Sequence, residues 1–302
     1  MENASMPTRW LVFGGSGAVG RFLLPALAAA RCQVLALSRE PAPAAIARVR
    51  WLQGSLESAP ALDRVLASEE RVDLICSLGP LDAFATWLAA HPPVAGLRVI
   101  ALSSLSAEWK LASPNPGERA LARRLVDSEQ RVLELCAART AGATLLRCGL
   151  IHGAGIDRSL SPLLRWARRW PLPWPRAANG LRQPVHAQDL ARAVLAVAAQ
   201  PAFAQQRLSL PGPEALSFPA MLQRSLAGEA RAKGLLPVPL PGVFALGSLL
   251  ARLPGRIGAR SATLRRLYLD QLSPCDDWVR LGIPLTELQR IGPAVGEQFQ
   301  YR

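Results

Sequence analysis

The sequence predicts an α/β protein, a doubly wound parallel sheet with a smaller, mostly helical C-terminal lobe. Three observations carry this reading. Apolar runs bounded by Gly, Pro or Ser alternate with helix-period segments through about the first half of the chain, the pattern of a parallel sheet with helices on both faces. The first run, Trp10–Phe13, leads straight into Gly14-Gly15-Ser16-Gly17-Ala18-Val19-Gly20 and a helix-forming segment. After Gly149 the texture changes to proline, tryptophan and arginine, which marks a second region.

Taken in order, strands are expected at Trp10–Phe13, Gln33–Leu37, Val49–Leu52, Val72–Ser77, Arg98–Leu102 and Thr144–Arg147. Helices fall between them at Val19–Ala30, Ala61–Ser68, Asp82–Ala90 and Glu118–Arg139. Sequential βαβ units are right-handed, so this order builds a doubly wound sheet whose ligand sits at the carboxyl ends of the strands. Beyond Gly149, the segment Arg165–Arg176 contains too many prolines to be helical throughout and is expected to form a loop capping the cleft. A strand at Pro184–His186, a helix at Asp189–Ala199, a strand at Arg207–Leu210 and a helix at Phe218–Leu226 follow, and Asp189 fits a helix N-cap. The C-terminal third reads as interrupted helix, with no repeat and no low-complexity tract.

At 302 residues and 50% apolar composition, the chain can bury a substantial core without a disulfide or metal. Its five cysteines form no CxxC pair and have no histidines at ligand spacing, so no metal site is expected and a reducing cytoplasm fits best. Met1–Arg9 does not read as a signal peptide. Leu235–Ala251 is uncharged, but its prolines and glycines argue against a spanning helix and leave a surface-lying or lid helix, up to Leu253, as the expectation. The net charge is +13, almost all of the excess arginine, since Lys110 and Lys233 are the only lysines. A G+C-rich genome gives the same balance. Nucleic-acid binding is not expected, because no basic run outside Arg165–Arg176 is interleaved with aromatics, while contact with a membrane surface stays open.

The glycine segment carries the most chemistry. Gly14 permits a tight turn, Gly17 lets a pyrophosphate approach the backbone, and Gly20 lets the helix pack close on the strand. Free N–H groups and the positive end of the helix dipole then face the phosphates. This predicts a Rossmann-type NAD(P)-binding domain over residues 1–150, with strands returning to it from about 180–212. Residues 151–302 are expected to form a substrate or partner lobe.

Read as Gly14-x-x-Gly17-x-x-Gly20, with Val12-Phe13 before it and Arg21 after it, the turn resembles that of the extended and atypical short-chain dehydrogenase/reductase superfamily, which includes the NAD-dependent epimerase/dehydratase and NmrA-like proteins. Further segments match in order: Leu102-Ser103-Ser104, then Leu146-Arg147-Cys148-Gly149-Leu150-Ile151-His152-Gly153, then Gln183-Pro184-Val185-His186-Ala187-Gln188-Asp189-Leu190-Ala191. The resemblance spans about Trp10 to Leu226.

An NAD-specific site usually ends its second strand in an acid that holds the ribose. Here the strand ends Leu37-Ser38-Arg39. Arg39 can pair with a 2′-phosphate and Ser38 can add a hydroxyl, which points to NADP, with NAD as the alternative through Glu40. The resemblance also implies an acid–hydrophobe pair for the adenine after the third strand. This chain has Ser55-Leu56 there, so only the apolar contact carries over. Ser77, Leu78 and Gly79 after the fourth strand, and Ser103, Cys148, Gly149 and Leu150 beside the nicotinamide, complete the expected cofactor set.

The resemblance further implies catalysis by a tyrosine activated by a lysine four residues on. Tyr268 and Tyr301 are the only tyrosines, and neither is followed by lysine at that spacing. Aligning the family's helical glutamate with Glu129 places Leu125 at the lysine and Leu121 at the tyrosine. Candidate catalytic residues are then Ser103, Ser104, Lys110 and His152. The two serines serve equally well as the end of the fifth strand. A lone histidine after a strand is more often structural, and His186 reads as the residue holding the Val185–Asp189 turn. Cys148, with no base beside it, reads as a small buried hydrophobe.

Two functions follow. One is an NADP(H)-binding protein with a degenerate site that serves as a sensor, scaffold or assembly partner, with an unassigned small molecule or protein as its partner. The other is an active NADP-dependent oxidoreductase or sugar-nucleotide epimerase/dehydratase with a non-standard proton donor.

Overall fold

The computed structural model describes residues 6–39, 45–58, 62, 71–157, 160–176, 178–227, 233–239 and 267–288. Its centre is a seven-stranded, all-parallel sheet with flanking helices, a Rossmann-like α/β fold. In chain order the elements are β1 (Arg9–Phe13), α1 (Gly20–Ala29), β2 (Gln33–Ser38), β3 (Val49–Gln53), β4 (Leu74–Ser77), α2 (Leu81–Ala90), β5 (Arg98–Ser104) and α3 (Ser106–Trp109). A 3-10 turn at Lys110–Ala112 leads into α4 (Pro116–Ala137), β6 (Gly142–Cys148), β7 (Leu150–His152), α5 (Ser161–Ala167), β8 (Leu172–Pro175), β9 (Leu181–Arg182) and β10 (Pro184–His186). The rest comprises α6 (Ala187–Ala199), β11 (Gln206–Leu210), β12 (Leu216–Ser217), α7 (Phe218–Leu226), β13 (Leu235–Val238) and α8 (Trp278–Leu281).

Strand order in the large sheet is β11-β6-β5-β4-β1-β2-β3. The chain therefore winds one way from β1 and the other way from β4, and the crevice at their carboxyl ends is the switch point of the fold. Successive side chains of β1 face opposite layers. Trp10 and Val12 pack with α1 and α6, whereas Leu11 and Phe13 pack with α2 and α4. Burial on both faces is why the strand reads as a continuous apolar run. Arg98 closes the far end of α6 by donating to the carbonyls of Val197 and Ala198, a cation on the last-turn carbonyls of a helix.

Several expectations need correction. Leu235–Val238 is not helical. It is a strand paired in parallel with Leu172–Pro175, so two proline-rich segments satisfy each other's backbone, and the rest of the expected helix, through Leu253, lies outside the described residues. Arg165–Arg176 is not a loop but the end of α5, a turn and β8. The cap of α6 is His186, whose Nδ1 accepts from the Gln188 N–H at 3.2 Å. Asp189 lies within the helix, fully buried, and accepts from the Thr286 N–H at 2.7 Å and hydroxyl at 2.9 Å. The expected helix Ala61–Ser68 falls outside the described residues except for Leu62, which is helical and buried. Among the described residues no helix is long and apolar enough to cross a membrane.

The layer under β1 is held by an aromatic cluster. Phe84 is fully buried, and the rings of Phe84 and Trp87 lie 5.8 and 4.7 Å from that of Phe13. Phe84→Ala is expected to cost about 3–5 kcal/mol, read from urea unfolding midpoints. A loss below about 1 kcal/mol would contradict this packing.

Candidate functional site

The glycine turn connects β1 to α1 at the switch point. Gly14 has φ +74°, where a side chain is strained. The Gly17 N–H bonds back to the Gly14 carbonyl at 2.9 Å and closes the turn. A Cβ on Gly20 would fall 2.0 Å from the Gly15 carbonyl oxygen, so the helix reaches the turn only because position 20 has no side chain. At Gly17 an added Cβ would touch only the Gly14 oxygen, at 3.1 Å, and its other side is open. The N–H groups of Ser16, Ala18 and Val19 have no partner among the described residues. Three free donors around an open backbone position at a helix N-terminus make a cradle suited to a phosphate.

The walls of the crevice come from the neighbouring strand ends. Leu78 and Gly79 lie against Gly14, and Leu56 faces Gly79 from the far side. The Ser77 hydroxyl is buried without a hydrogen-bond partner. Ser38, buried at the end of β2, reaches the Ser16 hydroxyl at 3.5 Å, while Arg39 is exposed beside it. The Ser55 hydroxyl accepts from the N–H groups of Glu57 and Ser58 at 3.2 and 3.3 Å, so it stabilises its own turn where the resemblance implies an acid. Glu57 was not anticipated. Its carboxyl is held below the usual range by the Ser55 hydroxyl first, then by its own backbone, with the charge of Arg39 also contributing. Glu40 lies outside the described residues.

On the other side of the crevice Ser103 is already committed. Its hydroxyl donates to Glu129 Oε1 at 2.6 Å, and the fully buried Glu129 also accepts from Arg147 at 2.9 and 2.6 Å and from Arg207 at 3.2 Å. These bonds hold the Arg147 guanidinium pKa above its ordinary value. Glu108 joins through Arg147, Ser209 and Ser273. Both Glu129 and Arg147 had been singled out, but their pairing had not. The signal was a glutamate on the helix Glu118–Arg139 and an arginine at the end of the strand Thr144–Arg147 that follows it. Removing one partner from such a network leaves an uncompensated buried charge, typically a loss of 3–5 kcal/mol.

Leu125 and Leu121 lie one and two turns before Glu129 on the same side of α4, and both are partly buried. The Ser104 hydroxyl accepts from the Ser106 N–H at 3.1 Å and caps the short helix α3. Lys110 is buried in the 3-10 turn, with its ammonium 5.0 Å from the Trp109 ring centre. Cys148 donates to the Ser103 carbonyl, and burial pushes its thiol up to about 12, which removes it as a nucleophile at neutral pH. The Gly149 N–H donates to the Leu210 carbonyl at 3.3 Å, and Leu150 begins β7. Among the described residues no group of three or more His, Cys, Asp or Glu is placed to hold a metal ion.

His152 is 3% exposed, its two ring nitrogens have no hydrogen-bond partner, and its ring meets His186 edge-on at 5.1 Å. Burial pushes it down to about 4, with His186 adding to the shift and Asp157 opposing it. His186 is lowered as well, mainly by burial. An imidazole neutral in the fold but protonated when unfolded stabilises above pH 6.5, and that contribution drains away as pH falls toward 4. Between pH 7 and 5 the wild type is expected to lose about 1–2 kcal/mol more than His152→Leu, measured by denaturant unfolding at each pH. Parallel profiles would show that His152 is not buried as described.

Residues 10–91 match the model of the NAD dependent epimerase/dehydratase family, the region that contains the glycine turn and the first four strands. Over those residues the resemblance to the NAD dependent epimerase/dehydratase family is borne out, and solved structures share the fold over most of the chain. An epimerase from the methanogen Methanothermobacter thermautotrophicus superposes with a TM-score of 0.67 at 17% identity, covering 93% of this chain and 96% of that one. MoeE5, solved with UDP-glucuronic acid and NAD, gives 0.59 at 18% identity over 91% and 100% of the two chains. TunA, an NAD dependent NDP-hexosamine 5,6-dehydratase of tunicamycin biosynthesis, gives 0.61 at 19% identity over 86% and 96%. No curated protein sequence matches at a significant level.

Proposed function

We propose that this chain binds NADP(H) at the glycine turn and works as a sensor, scaffold or assembly partner rather than through the superfamily's tyrosine–lysine chemistry. The observation that carries the reading is the pair Leu121 and Leu125, set one and two turns from the anchored Glu129 where the resemblance calls for tyrosine and lysine. Two leucines cannot stabilise a developing alkoxide or hold a nicotinamide ribose, and general acid–base help typically contributes about 10²–10⁴-fold. Ser103 offers no substitute, since its one proton is given to Glu129.

The cofactor's residues are proposed as follows. Ser16, Ala18 and Val19 would give N–H groups to the pyrophosphate, and Leu56, Leu78 and Gly79 would flank the adenosine. Ser38 and Arg39 would take a 2′-phosphate, with Cys148, Gly149 and Leu150 toward the nicotinamide end. A bound nicotinamide supplies hydride transfer, and this chain's part is to bind and orient it. Residues 1–150 are the cofactor domain in this proposal, residues 151–302 the partner lobe, and the cytoplasm the compartment. A second reading, an active sugar-nucleotide epimerase or dehydratase with another proton donor, draws on the fact that likeness to MoeE5 extends over 91% of this chain. The Ser104 hydroxyl, which accepts a bond and keeps its own proton, is the donor that reading would use.

Calorimetric titration separates the parts of the proposal. NADPH is expected to bind more tightly than NADH, and Arg39→Ala should narrow the gap by about 1–3 kcal/mol. Gly17→Val should abolish binding in a folded protein by filling the open side of the turn. Equal affinities in the wild type would leave Arg39 as a partner of Glu57 alone. Undiminished binding by Gly17→Val would remove the site.

A further inference from the structure

The end of α5 and the β8–β13 ribbon carry a surface that the cofactor reading does not use. Trp166 and Trp170 are 40% and 64% exposed. The Trp170 N–H donates to the Trp166 carbonyl at 2.9 Å, so the helical turn runs past Ala167 and sets the two indoles one above the other. Arg165 and Arg169, also four apart, are exposed on the adjoining flank. The exposed Lys233 is tied to the same end of the helix by its N–H to the Ala167 carbonyl at 2.8 Å, and β13 then presents Leu236, 50% exposed. Neither 160–176 nor 233–239 contains an acidic residue. The sequence after β13 stays uncharged to Ala251, then adds Arg252, Arg256, Arg260, Arg265 and Arg266, again without an acid.

We infer that this face docks on an anionic lipid bilayer. Exposed tryptophan and leucine suit the boundary between headgroups and acyl chains, and arginine and lysine beside them are attracted by an anionic surface. Charge supplies the complementarity: among the described residues of 160–176 and 233–239 every charged side chain is cationic. A nucleic-acid platform would need ring faces set along a groove for base stacking. Here the two rings stand one turn apart at a helix end, with the Trp166 indole N–H directed at the Pro171 carbonyl at 3.4 Å. The inference is independent of the proposed function.

The test is flotation of the full-length protein with vesicles of phosphatidylcholine alone or mixed with phosphatidylglycerol. Binding is expected only to the mixed vesicles and should weaken as salt is raised. Arg165→Ala/Arg169→Ala should reduce partitioning roughly 30-fold, since each arginine near an anionic surface is worth about fivefold. Trp166→Ser/Trp170→Ser should reduce it at least as far, with unchanged circular dichroism in both variants. Absence of flotation, flotation that both variants retain, or displacement from vesicles by a single-stranded oligonucleotide bound more tightly would each overturn the assignment.

Discussion

The contact between the Gly15 carbonyl and the backbone of Gly20 sets how near α1 comes to the end of β1, and the carboxyl edge of the sheet is arranged around it. A single Cβ at position 20 would intrude to 2.0 Å from that oxygen. Among the described residues the N–H groups of Ser16, Ala18 and Val19, just before α1, are left without a partner, while those of Arg21 and Phe22 turn back onto the Gly17 and Val19 carbonyls. Leu78 and Gly79 are brought against Gly14 by the pairing of β4 with β1, and the Leu78 N–H donates to the Phe13 carbonyl at 2.9 Å. The cradle is thus a consequence of strand order and three missing side chains. No charged residue is needed to build it.

The opposite wall obeys a different constraint. Glu129 is buried at the junction of β5, β6 and β11, and it is satisfied only because Ser103, Arg147 and Arg207 converge on it from three strands. This fixes the register of α4 against the sheet. The residues one and two turns earlier lie along the same side of α4. In this chain they are leucines. The same network takes up the Ser103 hydroxyl, so a residue that a sequence comparison places beside a substrate acts here as part of a buried ion-pair assembly.

Much of this was legible in the sequence where the information is local. Strands buried on both faces must be apolar runs, and Trp10–Phe13, Gln33–Leu37 and Arg98–Leu102 were found for that reason. A glycine turn between a strand and a helix has few other uses. What failed depended on partners far along the chain. Asp189 has the composition of a cap, but Thr286, 97 residues away, satisfies it inside the helix while His186 caps the end. Leu235–Val238 reads as apolar and uncharged, and only its pairing with Leu172–Pro175 makes it a strand. The edge-on pairing of His152 with His186 required the two-stranded sheet of β7 and β10, which no local pattern announces.

The proposed function turns on a glycine turn that would hold a nicotinamide cofactor and on Leu121 and Leu125 standing where the resemblance calls for tyrosine and lysine. The most direct measurement is turnover by the unmodified protein at saturating cofactor, followed as steady-state NADPH oxidation with a broad panel of carbonyl compounds and, because epimerisation and dehydration consume no net cofactor, as product formation from nucleotide sugars with the oxidised cofactor. The account predicts rates no higher than the background without protein. Sustained substrate-dependent turnover would contradict it, and loss of that turnover in Ser104→Ala, Lys110→Ala or His152→Leu would identify the proton donor.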